Sequence, residues 1–84
     1  MAELHDNQAQ SRFEMVEQGQ TSFAEYRRQG RELIIDHVES PPALRGTGAA
    51  GRLMQALVEE ASREGLKITP ICSYAADWLK RHRL

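Results

Sequence analysis

The sequence predicts a single small α+β domain, in which an antiparallel β-meander is followed by a strand–helix–strand unit and a closing helix. Short segments rich in strand-forming residues fill the first half and are separated by the turns Gln18-Gly19 and Gln29-Gly30. The spacing of apolar residues changes to that of a helix after Pro41-Pro42. A chain of 84 residues is long enough for one domain and too short for two.

Three strands are expected in the first half. Residues 12–17, 21–27 and 31–38 contain β-branched and aromatic residues, and the third segment is the richest in β-branched ones. The glycine-containing turns between them favour antiparallel pairing of neighbours. The polar residues 1–11 are expected to form an arm or a short edge strand in front of a domain over 12–84.

The second half begins with a helix. Its expected range, 46–64, holds apolar residues at spacings of three and four, which is one face of a helix. These residues are Ala50, Leu53, Met54, Leu57, Val58 and Ala61. Gly65 is placed to end the helix as its C-cap. Residues 67–72 are predicted to form a short strand, and Ser73 to cap a last helix with Trp78 on its apolar side.

The strand–helix–strand unit over 31–72 predicts two parallel strands joined by a right-handed crossover. The carboxyl ends of parallel strands lie at one edge of a sheet, and ligands of such units bind at that edge. The loop at 40–48 and Cys72 both come at the ends of strands. We therefore expect the loop and this cysteine to be neighbours.

A glycine-containing loop between that strand and helix is the strongest candidate for a binding site. It comprises Arg45, Gly46, Thr47, Gly48, Ala49 and Ala50. Two glycines let the backbone come close to a ligand and adopt positive φ. The first turn of the following helix offers unpaired N–H groups and the positive end of the helix dipole, so a phosphate fits there, with Arg45 as a charged partner. The plainer alternative is that the glycines only allow the chain to turn into the helix.

Two better-known phosphate motifs do not fit this loop. Gly46 and Gly51 have the glycine spacing of a P-loop, but Arg52 stands in place of the lysine and Leu53 in place of the hydroxyl that would hold magnesium. The glycine spacing of a dinucleotide-binding loop is also present. It follows an antiparallel meander, however, and no βαβαβ repeat is available.

The loop resembles the acyl-coenzyme A pyrophosphate loop of the GNAT acetyltransferase superfamily. That motif, R/Q-x-x-G-x-G/A, corresponds to Arg45-x-x-Gly48-x-Ala50 at the start of a helix. A family of very short GNAT-like proteins is similar over residues 12–82. The shared segments are Ile35-Asp36-His37, Pro41-Pro42 with Leu44-Arg45-Gly46-x-Gly48, Gly65-Leu66-Lys67-x-x-Pro70-x-Cys72, and Arg81-His82. The sequence departs from that family at Val38, where threonine is frequent, and at Ser73, where proline is common.

This resemblance implies a GNAT-like α+β fold with acetyl-CoA as the cofactor. It implies a small N-acetyltransferase over residues 12–84 that moves an acetyl group to an unknown amine acceptor. Two other interpretations stay open. One is a coenzyme A-binding or acyl-CoA-binding module without turnover, acting as a sensor or partner protein. The other is a structural domain whose loop binds only stray anions.

Three side chains are candidates for catalysis. Cys72 could take the acyl group from the thioester or protonate the departing thiolate, although most lone cysteines are simply small buried residues. His37 is a candidate general base. It shares side-chain parity with Leu33 and Ile35, which predicts the apolar face and favours an ordinary core histidine. Tyr74 is a candidate proton donor to the coenzyme thiolate, or a packing residue of the last helix.

Composition and charge bear on the class of ligand, the cellular location, metal binding and the oligomeric state. The net charge of −1 argues against general nucleic-acid binding. The net charge of +3 over residues 45–84 favours an anionic ligand there, the plainer alternative being a chance fluctuation among so few charges. No apolar run reaches the roughly 20 residues that span a bilayer, and the chain begins without a signal pattern, so a cytoplasmic protein is expected. Cys72 is the only cysteine, and no metal site is expected. The core of so short a chain is thin, so a dimer or a bound ligand would help to stabilise it, and a monomer or a weak homodimer is expected.

Overall fold

The structure is a computed structural model that describes residues 3–82. Its strands are β1 (Leu4–Asn7), β2 (Arg12–Glu17), β3 (Gln20–Gln29), β4 (Glu32–Glu39) and β5 (Lys67–Pro70), and its helices are α1 (Ala49–Glu64) and α2 (Ser73–His82). Residues 1, 2, 83 and 84, the outermost positions of the predicted arm and domain, lie outside this described range. Neither helix in this range is long and apolar enough to cross a membrane.

The strands form one sheet with the order β1-β2-β3-β4-β5. The first three pairs are antiparallel, and β4 pairs with β5 in parallel, with Leu33 opposite Ile68. The predicted meander, its parallel continuation through α1 and the α+β class are therefore confirmed. β1 belongs to the segment expected to be an arm or an edge strand, and it lies at the outer edge of the sheet next to β2.

β3 and β4 differ from the predicted ranges by one or two residues at their ends, and two boundaries near the loop and Cys72 also differ. The helix begins at Ala49 rather than 46, because Gly46 and Gly48 have φ of +80° and +85°, which are not helical values. The last strand ends at Pro70 rather than at 72. Proline has no N–H to continue the ladder, so the chain leaves the sheet there.

The core lies between one face of the sheet and the two helices. The apolar face predicted for the first helix is turned toward it, since Leu53, Met54 and Leu57 are fully buried. The rest of the cluster is Phe13, Met15, Ala24, Tyr26, Leu33, Ile35, Ala61, Ala75 and Trp78. Burying one leucine-sized side chain stabilises a fold by about 1.5–3 kcal/mol. This packing fixes the start of α1 relative to the end of β4.

A bulge in β4 changes the surroundings of one predicted site residue. The pairing of β3 with β4 skips Asp36, which is therefore an extra residue in β4. The alternation of side chains shifts by one position after it. The prediction that His37 lies on the apolar face is wrong for this reason, because half of its side chain is exposed. Val38 packs against the core instead.

Candidate functional site

At the start of α1, several backbone N–H groups have no acceptor within the helix. Gly48 precedes the helix and has no side chain to cap it. The first hydrogen bond of the helix is donated by the N–H of Arg52 to the carbonyl of Gly48, at 3.0 Å. The N–H groups of Ala49, Ala50 and Gly51 therefore have no acceptor within the helix. The first turn of α1 also contains no acidic side chain, so the positive end of the helix dipole is not neutralised locally.

A cavity of about 250 Å³ borders these donors. It is lined by Ser40, Leu44, Arg45, Gly46, Gly48, Ala49, Ala50, Gly51 and Tyr74. Five of the six predicted loop residues thus line one cavity. Thr47 does not, and its hydroxyl donates to the carbonyl of Leu44 at 2.6 Å. Thr47 holds the shape of the loop, while its neighbours border the space.

Arg52 ties the loop to the sheet. Its guanidinium donates two hydrogen bonds to the carboxylate of Glu17, at 2.8 and 2.9 Å, and a third to the carbonyl of Thr47 at 2.8 Å. The hydrogen bond from Arg52 lowers the pKa of Glu17 below its ordinary value. A Cβ atom placed on Gly48 would lie 3.1 Å from Arg52 Nη1. Glycine at this position therefore suits both the positive φ and the close approach of the arginine.

Tyr74 is the predicted reactive residue that lines the cavity. It lies in the first turn of α2, which packs closely against Gly51. A Cβ atom on Gly51 would be 3.9 Å from Tyr74 Oη and 3.5 Å from Trp78 Nε1. The absence of a side chain at Gly51 brings the tyrosine hydroxyl next to the first turn of α1.

Cys72 lies where the two parallel strands separate. The N–H groups of Ile71 and Cys72 both donate to the carbonyl of Ile35, at 2.9 and 3.1 Å. Ile35 is also the last residue of β4 that pairs with β5. The thiol is free, and the side chain is partly buried against the core. Cys72 is not among the residues that line the cavity.

His37 lies elsewhere. Its Nε2 is 2.9 Å from Glu39 Oε1, and its ring centroid is 6.3 Å from that of Phe23. Because the adjacent Val38 packs against the core, His37 faces the side of the sheet away from the helices. The structure therefore separates His37 from Tyr74 and from the cavity.

The predicted site residues left out four residues found here, namely Ser40, Leu44 and Gly51 in the cavity lining and Arg52 beside the loop. Ser40 lines the cavity, and its Oγ is 2.9 Å from Oγ of the buried Ser22. Arg52 holds the loop as described above. In the sequence, Arg52 was noted only as the residue in place of the P-loop lysine, and its partner Glu17 lies 35 positions away. No sequence pattern indicated Ser40, because its hydrogen-bond partner Ser22 lies on another strand, β3.

Comparison with known protein families agrees with this architecture. A family model described as GCN5-related N-acetyl-transferase matches residues 12–84. The match runs from β2 through α2 and includes the loop, Ser40, Cys72 and Tyr74. The mostly antiparallel sheet with two helices is consistent with the fold of that family. The chain therefore belongs to the GCN5-related N-acetyltransferase family.

Proposed function

We propose that this protein is an N-acetyltransferase that takes an acetyl group from acetyl-CoA and transfers it to an amine. The observation that carries the proposal is the uncapped start of α1 beside a cavity. The N–H groups of Ala49, Ala50 and Gly51 and the exposed guanidinium of Arg45 suit the pyrophosphate of the coenzyme. Membership of the family supports this use of the loop.

The edge of β4 supports a path for the rest of the coenzyme. β5 ends opposite Ile35, whereas β4 continues to Glu39, so residues 36–39 extend beyond the parallel pairing. A pantetheine arm can lie along this part of β4 and hydrogen-bond to its backbone, as an added strand would. Its thioester would then come to the point where the chain leaves β5 and passes through Cys72 to Tyr74.

The transfer requires two proton movements. The amine nitrogen attacks the thioester carbonyl carbon, the carbon–sulfur bond breaks, and the coenzyme leaves as a thiolate. We assign Tyr74 as the proton donor to that thiolate, since Tyr74 lines the cavity and its hydroxyl lies next to the first turn of α1. His37 lies on the other face of the sheet from Tyr74, so we assign it as the base for an amine that reaches the thioester from that face, past residues 36–39 of β4 that β5 does not cover, with Glu39 fixing the orientation of its ring.

Cys72 offers a second route, in which its thiolate attacks the thioester first and the amine then takes the acetyl group from the cysteine. Intact-mass measurement after incubation with acetyl-CoA should then show one added acetyl group that maps to Cys72 and is lost in Cys72→Ala. Labelling should be faster in the folded protein than in the unfolded chain, because the fold positions the donor. Equal rates in both would reject the cysteine route, and turnover by Cys72→Ala would support direct transfer.

Coenzyme binding is the decisive test of the proposal. Acetyl-CoA at about a hundred times its Kd should raise the free energy of unfolding by about 2.7 kcal/mol, which is measured as a rise in Tm on the order of 10 °C. Gly48→Glu should abolish the shift, because it adds bulk and negative charge at the pyrophosphate site.

Gly30→Glu is the matched control. Gly30 also has a positive φ, of +59°, with open space around the position of its Cβ, and it lies in the turn between β3 and β4. Its variant should keep the full shift. A full shift in Gly48→Glu would remove the loop from the proposal. Binding without acetyl transfer to any amine would favour the coenzyme-binding module without turnover.

A further inference from the structure

We propose that Ser40 is a further coenzyme-binding residue, whose hydroxyl proton is directed by Ser22 toward the pantetheine half of the coenzyme. The inference rests on the proposed function and deepens it by dividing the site between the two halves of the ligand. The observation behind it is the hydrogen bond between Ser22 Oγ and Ser40 Oγ, 2.9 Å long, at the wall of the cavity.

Burial decides which of the two hydroxyls donates. Ser22 is 1% exposed, and among the described residues its side chain has Ser40 as its single hydrogen-bond partner. A hydroxyl has one proton to donate and two lone pairs that accept. A buried proton without an acceptor is unfavourable, so Ser22 donates and Ser40 accepts. The proton of Ser40 is then available to a different acceptor.

The position of Ser40 selects the part of the coenzyme. Ser40 follows β4 directly and lines the cavity together with Arg45 and the first turn of α1. It therefore lies between the free edge of β4 at 36–39, which suits the pantetheine arm, and the backbone donors of 49–51, which suit the pyrophosphate. A neutral hydroxyl donor complements the uncharged oxygen acceptors of the pantetheine arm, such as its amide carbonyls.

The test compares Ser40→Ala with the unmodified protein for three ligands. These are coenzyme A, phosphopantetheine and adenosine bisphosphate, the last two being the halves of the first, and NMR titration measures even weak binding of the halves. Affinity for coenzyme A and for phosphopantetheine should fall by about fivefold, the loss expected for one neutral hydrogen bond. Affinity for adenosine bisphosphate should not change.

Two further variants test the role of Ser22 and provide a control. Ser22→Ala should weaken coenzyme A binding by only about twofold, because Ser40 keeps its proton and loses the group that directs it. Ser62→Ala removes an exposed serine hydroxyl from α1 and should leave coenzyme affinity unchanged, without lowering Tm, since alanine is the better helix former.

The possible outcomes separate this inference from the proposed function. Equal weakening for both halves of the coenzyme, with a lower Tm, would make Ser40 a structural residue and overturn the inference. Unchanged affinity of Ser40→Ala for coenzyme A would overturn it too, and would leave the proposed function intact. Failure of the unmodified protein to bind coenzyme A would overturn the proposed function, and this inference with it.

Discussion

The two ends of α1 each carry a glycine with positive φ, yet they differ in how their backbone groups are satisfied. At the C-terminal end, Gly65 donates its N–H to the carbonyl of Ser62 at 3.2 Å, and Leu66 donates to that of Ala61 at 2.8 Å. These bonds close the helix. At the N-terminal end, Gly48 supplies no side-chain acceptor for the first N–H groups.

The cavities near the two ends of α1 also differ in whether their polar groups already have partners. One cavity near the C-terminal end is larger, about 620 Å³, but its charged groups already have ion-pair partners, those of Arg28 lying within the cavity lining. Arg28 donates to Asp6 at 3.2 Å and to Glu64 at 3.0 Å, and the hydroxyl of Tyr26 donates to Asp6 at 2.6 Å. The smaller cavity at the N-terminal end borders donors that the helix itself does not use. Under the proposed function, backbone donors that the helix does not use therefore mark the coenzyme site better than cavity volume does.

Removing ion pairs at the C-terminal end of α1 should lower the stability of the fold and leave coenzyme binding unchanged. Arg28→Ala removes the partner of two carboxylates and a guanidinium that lies 5.5 Å from the centroid of the Tyr26 ring. The side chain is 32% exposed, so we expect a loss of about 1–2 kcal/mol in the free energy of unfolding, measured by urea denaturation. Coenzyme affinity should stay unchanged. A tenfold weaker affinity would mean that the two ends are coupled and would contradict the comparison.

Loosening the loop at the N-terminal end of α1 should have the opposite effect, weakening coenzyme binding and changing stability little. Arg52→Ala frees the carbonyl of Thr47, so the loop has more conformations to lose on binding, and coenzyme affinity should fall by about three- to fivefold. The free energy of unfolding should change by less than about 1 kcal/mol, because half of the Arg52 side chain is exposed. Arg63→Ala is the control, since it removes an exposed, ion-paired arginine from the same helix. Equal affinities for the two variants would show that Arg52 does not hold the loop for binding.

The smallest expected effect is a loss of stability at alkaline pH, caused by Tyr26 near the C-terminal end of α1. Burial raises the pKa of Tyr26 above its ordinary value of 10.0, and the hydrogen bond to Asp6 raises it further. The unfolded chain then loses the phenol proton at lower pH than the folded protein does. Tyr26 therefore stabilises the fold below about pH 10, and this contribution is lost as the pH rises further.

Urea denaturation from about pH 9 to pH 11 measures this loss. The unmodified protein should lose stability more steeply than Tyr26→Phe, which has no phenol proton to lose. Parallel pH dependence of the two proteins would show that the environment of Tyr26 does not favour its neutral form.

Local signals explain why so much of the fold could be predicted. The burial of Leu53, Met54 and Leu57 followed from their spacing, and the end of α1 followed from Gly65. Both signals lie within a few residues of the feature that they predict. The parallel pairing of β4 with β5 followed from the length and period of the segment that joins them.

The features that could not be predicted depend on residues far apart in the chain. The exposure of His37 results from the extra residue Asp36, and a bulge is visible only once the strand and its partner are paired. Ser22 and Ser40 are 18 positions apart, and Glu17 and Arg52 are 35 apart. The sequence indicated the loop and the tyrosine but could not indicate the groups that hold them from neighbouring strands.

The uncapped start of α1 also limits how this protein can be made more stable. Introducing a serine or aspartate at an N-cap commonly stabilises a protein by about 1 kcal/mol. Gly48 blocks that route, because side chains rarely adopt a φ of +85°. An acidic cap would also compete with phosphate for the same N–H groups. Under the proposed function, the coenzyme completes the first turn of the helix, and its concentration sets how stable that turn is. Selection for a more stable variant should therefore leave Gly48 unchanged and alter the far end of the helix.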